Sequence, residues 1–310
     1  MLNDLFILSI SIFLIIKGAT MATKYSAQLA ENYRLSKYII GFIIVAVISI
    51  LPETLISINS AIEGVPEVGL GTLFGSNVAD LTLVFAIIIA ISGRSISIDS
   101  KILKNNIIYP LLLIIPIALG IDGHYSRIEG ISLILTGIVF YIMAFKNSVD
   151  EEVLEPIKKE NRKKNILFLI SSMFILLLGS HFIVTSSTDI ANYLGINPIF
   201  IGIFIIGLGT VIPELIFSLK SVKKDNDSLA VGDILGTVLA DATIVVGILS
   251  LINPFDFPKK IIYVSGLFMI IASFLLFYFM KSGKTLSKKE SFMLLLFWAL
   301  FIIIEFSINY

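Results

Sequence analysis

Ile50-Leu51-Pro52-Glu53-Thr54 and Val211-Ile212-Pro213-Glu214-Leu215 set an acid directly after a proline twice in one chain, 161 residues apart and each time inside a long apolar run. The same offset places Gly18 on Gly179, Gly41 on Gly202, Gly71 on Gly232, Gly75 on Gly236, Ala79 on Ala240, Asp80 on Asp241 and Thr82 on Thr243. Ser49 falls on Thr210 and Ser76 on Thr237 without a gap between the motifs. Matches concentrated on Pro, Glu, Gly and Asp in so apolar a chain define an internal repeat.

The setting of that repeat is lipid. Of 310 residues, 56% are hydrophobic, and the mean hydropathy is +0.97. A water-soluble surface of that size cannot be covered with so few polar side chains. There is no cysteine, which removes disulfides and thiolate metal sites. The 23 basic and 23 acidic residues cancel, so no polyanion and no nucleic acid is expected as a partner. Neither a cofactor motif nor an obligate protein partner is evident. The first apolar stretch lacks the basic n-region and the cleavage site of a signal peptide, and reads as a retained helix.

A spanning helix needs roughly 20 apolar residues. Ten such runs lie at about 4–29, 37–63, 66–92, 105–121, 127–146, 166–193, 197–222, 228–252, 261–280 and 289–307. The fold class expected is an all-α polytopic membrane protein with ten transmembrane helices in two inverted five-helix repeats. Residues 1–146 form the first repeat, 147–165 a polar linker and 166–310 the second. Five is odd, so the second copy enters the bilayer from the opposite side, as in many secondary transporters. With the N-terminus outside, 19 of the 23 Lys and Arg fall in inner connections, and Arg127, Lys259 and Lys260 in outer ones. Such asymmetry sets orientation, which puts both termini outside and the 147–165 linker in the cytoplasm.

The chemistry lies where the copies correspond. Proline has no amide hydrogen and clashes with the carbonyl one turn back, so backbone oxygens upstream are expected to face a ligand; Ala46 and Gly207 are the candidates. An ionisable residue in the bilayer core is costly unless it is solvated or paired, which makes Glu53 and Glu214 functional candidates. In Gly75-Ser76-Asn77-Val78-Ala79-Asp80 and Gly236-Thr237-Val238-Leu239-Ala240-Asp241 the hydroxyl and the carboxylate are four apart and share a helix face. The glycines allow a neighbouring helix to approach closely. Carboxylates, hydroxyls and carbonyls make an all-oxygen site, suited to a hard cation such as Ca2+, Na+ or Mg2+, with a flexible cage favouring Ca2+.

These paired motifs resemble the alpha-repeats of the sodium/calcium exchanger family, within the calcium/cation antiporter superfamily, over essentially the whole ten-span plan. The resemblance implies that Glu53 and Glu214 ligate Ca2+ and Na+. It extends that role to the hydroxyls of Ser49, Thr210, Ser76 and Thr237, to Asp80 and Asp241, and to the carbonyls of Ala46 and Gly207. It also implies first and sixth helices that slide across a rigid core, and a secondary antiporter exchanging Ca2+ for Na+ by alternating access. The family's second hydroxyl, two residues before the proline, is replaced here by Ile50 and Val211, so two sodium ligands are missing. Ile48-Ser49 stands where the family usually has Gly-Thr, and Asp80 where many relatives have asparagine.

A carboxyl that exchanges protons can couple transport to H+, so a Ca2+/H+ exchanger is the alternative. The proton-coupled branch, however, usually carries Glu-His and a glutamine that this chain lacks. A cation channel is the rival from another class, and inverted symmetry within one chain argues against it. No nucleophile, cofactor motif or histidine pair supports an enzyme. Lys17, inside the first span, is read as snorkelling to the interface, His181 as hydrogen bonded to a neighbouring helix, and His124 as solvated.

Overall fold

The structure is a computed structural model that describes residues 2–30, 46–98, 108–146, 162–196 and 198–309. It contains ten long helical elements. Helix α1 spans Leu2–Ala30, α2 spans Ala46–Ser49 and Leu51–Ile62, α3 is Pro66–Ser92, α4 is Ile108–Leu119 with a closing turn at Gly120–Asp122, and α5 is Arg127–Lys146. In the second half α6 is Arg162–Leu194, α7 spans Pro198–Ile201, Gly202–Ile206 and Gly207–Val222, α8 is Asp227–Ile252, α9 is Ile262–Lys281 and α10 is Lys288–Asn309. Eight of them, all but α2 and α4, are long and apolar enough as described to cross a bilayer. Inside lipid every backbone amide must be satisfied within the chain, which an unbroken helix does and an irregular loop does not.

The ten expected spans coincide with these helices. Residues 37–45 and 105–107, expected to open the second and fourth spans, lie outside the described residues, as does most of the 147–165 linker. Helix α6 begins four residues before the expected start, because Arg162, Lys163 and Lys164 continue it past its apolar stretch.

Four two-residue strands were not anticipated. Ile96–Ser97 (β1) pairs antiparallel with Thr285–Leu286 (β4), and His124–Tyr125 (β2) with Phe255–Asp256 (β3). Their pairing is a check on the topology. Strand β1 follows three helices and β4 nine, whereas β2 follows four and β3 eight. Each ladder therefore joins connections of equal parity, on one side of the helix layer, and the two ladders mark opposite sides. The 161-residue offset carries β2 onto β4 exactly, as an inverted repeat requires.

Packing divides the helices into an inner and an outer set. Of the eight apolar spans, α3 and α8 are the most buried, while α1, α5, α6 and α10 are the least. Helices α1 and α6 lie against each other, and the contact is reciprocal: Gly18 of α1 faces Leu176 of α6, while Gly179 of α6 faces Ile15 of α1. The offset turns each pair into the other, so a pseudo-twofold axis passes between these two helices. Outward-facing Phe6, Phe13, Ile128, Leu135, Phe174 and Leu178 are exposed in the way expected of a lipid-contacting surface.

On the side bearing β1 and β4, Arg94 clips the two repeats together. Its guanidinium donates to both Asp227 oxygens at 2.7 and 2.8 Å and to the Val222 carbonyl at 2.6 Å, while Ser97 N–H donates to the same carboxylate at 2.7 Å. The hydrogen-bonded Asp227 carboxylate raises the Arg94 pKa above its ordinary value. On the opposite side His124 Nδ1 lies 2.9 Å from Asp256 Oδ1, an exposed pair across the β2–β3 ladder, so His124 is partnered as well as solvated.

Candidate cation site at the repeat interface

Glu53 and Glu214 lie inside α2 and α7, directly after their prolines, and both are fully buried. They are brought together. Glu53 stands beside the Thr210 hydroxyl of the other repeat and within electrostatic reach of Glu214. Asp80 of α3 and Asp241 of α8, buried as well, each interact with Glu53. Ser49, Thr210, Ser76, Thr237 and Ala46 are likewise buried, and so is Gly207.

Close backbone contact sets this arrangement. A Cβ on Gly75 would stand 2.6 Å from the Ile203 carbonyl oxygen, one on Gly202 would stand 2.6 Å from the Val68 oxygen, and one on Gly207 would meet Ser76 N and Thr72 O at 3.1 Å. Helices α3 and α7 therefore touch main chain to main chain, which no larger residue permits. That contact places the Ser76 backbone against Gly207.

Two local expectations need correction. Ser76–Asp80 and Thr237–Asp241 were expected on regular α-helix, but Asp80–Val84 and Asp241–Val245 are π turns beginning at the acids themselves. In each turn a threonine, Thr82 or Thr243, donates its hydroxyl to the carbonyl four residues back. A π turn widens the helix and re-aims the side chains at its start, a common feature of functional sites. The carbonyls of Ala46 and Gly207 are also not free. Ala46 O accepts from Ile50 N–H at 3.0 Å, and Gly207 O accepts the Thr210 hydroxyl at 3.0 Å. The reason is positional: a proline deprives the carbonyl four residues back, which is Ile48 for Pro52 and Gly209 for Pro213. A carbonyl has two lone pairs, so Ala46 keeps one for a ligand, whereas Gly207 O faces the intrahelical Val211 N–H as well as the Thr210 hydroxyl.

Asp233 of α8 was missed. It is buried, accepts the Ser49 hydroxyl at 3.0 Å through Oδ1, and lies within electrostatic reach of Glu53, Asp80 and Glu214. The 161-residue offset sets it against Thr72, so the repeat hides it. A signal was nonetheless present: Asp233, Thr237 and Asp241 recur every four residues on one helix face. Two tyrosines hold that helix, Tyr109 donating to the Leu235 carbonyl and Tyr141 to the Gly236 carbonyl, both at 2.6 Å.

Five carboxyl groups thus share one buried interior. Glu53 Oε2, Asp80 Oδ1, Asp233 Oδ2 and both oxygens of Glu214 and of Asp241 have no hydrogen-bond partner among the described residues. No lysine, arginine or histidine among the described residues is paired with any of them. No three of these acids stand at metal-ligating spacing among the described residues. Buried, unpaired carboxylates with hydroxyls between them are chemically matched to cations and to no anion or apolar ligand. A cavity of about 270 Å³ between α1, α7 and α8, bordered by Thr20, Lys24, Lys220 and Lys224, reaches Pro213 next to Glu214. Lys17 is exposed on α1, and His181 sits 3.6 Å from Glu63 at the end of α2, so neither belongs to the cluster.

Ten helices in two copies around a buried acidic cluster define an integral membrane cation transporter. The family model for the sodium/calcium exchanger protein matches residues 4–146 and 164–307, so the chain belongs to that family and is a membrane cation exchanger rather than an enzyme. An uncharacterised membrane protein of Methanocaldococcus jannaschii is 28% identical over 283 residues, 89% of either chain. The sodium/calcium exchanger MaX1 of Methanosarcina acetivorans is 22% identical over 346 residues, covering 97% of this chain and 98% of that one. The solved sodium-calcium exchanger NCX_Mj, soaked with Na+ and Sr2+, superposes with a TM-score of 0.73 at 24% identity, covering 97% and 98% of the two chains.

Proposed function

We propose that the chain exchanges Ca2+ for Na+ across a prokaryotic cell membrane by alternating access, with both ions competing for one site between the repeats. The observation that carries this reading is the convergence of Glu53 and Glu214, one from each repeat, on a buried all-oxygen cluster. Ser49, Thr210, Ser76, Thr237, Asp80, Asp241 and the carbonyls of Ala46 and Gly207 complete the ligand set. Competition makes the exchange obligatory: crossing empty would carry uncompensated carboxylates through a dry gate, a cost of several kcal/mol per charge. Relatives of this length that are named sodium/calcium exchangers support the ion pair.

The orientation follows the basic residues, with both termini outside and the 147–165 linker cytoplasmic between the two repeats. On that assignment the cavity beside Pro213, bordered by Lys24, Lys220 and Lys224, opens inward and gives the cytoplasm a path toward Glu214.

Coupling to H+ is the second reading, favoured by Ile50 and Val211 in place of two hydroxyls and by acids beyond the two glutamates. Uptake of 45Ca2+ into proteoliposomes decides between them. An outward Na+ gradient should drive uptake and an outward H+ gradient should not; stimulation by protons alone would reverse the assignment. Calcium current without any counter-ion gradient would instead make the protein a channel.

A further inference from the structure

Asp233 is the one buried acid of the cluster that the repeat does not duplicate. Its counterpart Thr72 turns its hydroxyl back onto its own helix at Val68 O, 2.8 Å away. The counterpart of Ser49 behaves likewise, Thr210 donating to Gly207 O within α7. On the α2–α8 side the motif hydroxyl instead crosses between repeats to this unduplicated acid, Ser49 donating to Asp233 Oδ1 at 3.0 Å. The second oxygen, Oδ2, is buried without a partner among the described residues. Burying a carboxylate oxygen this way is unfavourable unless a cation compensates it, and the groups around it are Glu53, Asp80 and Glu214, all acidic.

We propose that Asp233 is a fifth carboxylate of the ion site, holding Ser49 through Oδ1 and presenting Oδ2 to Ca2+. A serine hydroxyl has one proton and two lone pairs. By accepting that proton, Asp233 leaves both lone pairs for the cation and polarises the hydroxyl with a carboxylate, whereas Thr210 donates to the neutral Gly207 carbonyl. The site is therefore lopsided, with the stronger hydroxyl ligand and the additional negative charge on the Ser49 side. Asp233 thus supplies at position 49 part of what is lost through the absence of a hydroxyl at Ile50.

This inference rests on the site being a Ca2+ site, and equilibrium 45Ca2+ binding to the purified full chain in detergent at fixed pH separates the two claims. Binding by the unmodified protein tests the site itself, and absence of binding overturns both. Given that binding, Asp233→Asn should raise the Kd by ~10- to 100-fold, the loss typical when a partner of a metal ligand is removed, with the melting temperature retained. An unchanged Kd overturns the proposal. Asp233→Thr, which copies the residue of the first repeat, is read by the same criterion should the asparagine variant fail to fold. A double-mutant cycle of Asp233→Ala with Ser49→Ala tests the link between them. The loss from Ser49→Ala should shrink at least about threefold in the Asp233→Ala background, a coupling of ~0.6 kcal/mol. Losses that simply multiply would show that Asp233 does not act through Ser49.

Discussion

Replacing Gly75 with alanine tests whether the contact between α3 and α7 builds the site. The added Cβ would stand 2.6 Å from Ile203 O and 2.8 Å from Ile203 Cα. A carbon–oxygen contact of this kind relaxes at about 3.3 Å, so the helices must separate by roughly 0.7 Å. The obstacle is main chain and cannot rotate away. Alanine gains up to about 1 kcal/mol in helix propensity, but overpacking of a close interior contact costs about 1–3 kcal/mol, so the sign is set by the clash. A net loss of about 1–2 kcal/mol corresponds to a fall in Tm of roughly 2–8 °C. Thermal unfolding in detergent reads this directly, with Gly209→Ala as the control, because its Cβ would meet only the Ile12 side chain at 3.5 Å. Calcium uptake by Gly75→Ala should also drop, since Ser76 and Asp80 move with α3. If Gly75→Ala melts with Gly209→Ala and transports normally, the tight α3–α7 contact is not what positions the ligands.

Other substitutions probe separate parts of the account. Ile50→Ser combined with Val211→Ser should strengthen the Na+ dependence of Ca2+ uptake while lowering Tm, since both positions are buried in the core; an unaltered Na+ dependence would show that hydroxyls there are irrelevant to coupling. Arg94→Gln should lower Tm by an amount equivalent to about 1–2 kcal/mol, reduced by solvent screening because the guanidinium is 38% exposed. A melting curve identical to that of the unmodified protein would mean the Arg94–Asp227 clip contributes nothing. Lys17→Leu should leave Ca2+ uptake essentially intact; severe loss would make Lys17 a counter-ion of the site after all.

Much of the fold is legible because lipid allows so few backbone solutions. Long apolar runs had to be helices, and the 161-residue offset with five spans per copy required inversion. The boundaries were clearest where charges or Pro and Gly end an apolar run, and least clear at α6, where three basic residues extend the helix. The β1–β4 and β2–β3 ladders were invisible, since two residues carry no periodicity. Within the site, Glu53 and Glu214 were legible because an acid beside proline in mid-membrane is costly and was found twice. Asp233 was not, because its role depends on Ser49, which is distant in sequence and has no equivalent contact in the other half. The π turns at Asp80 and Asp241 escaped for a different reason: they leave the spacing of residue types unchanged. Ala46 and Gly207 were chosen two residues too early for the proline effect, and the hydrogen bonds onto their carbonyls reflect that.

The central claim is that the two halves build one site rather than two. Counting Ca2+ bound at saturation, in the unmodified chain and in Glu53→Gln and Glu214→Gln, tests it most directly. A shared site predicts that either glutamine variant alone loses essentially all high-affinity binding. Retention of half the capacity at unchanged affinity in each variant would mean two independent sites, and would contradict the account.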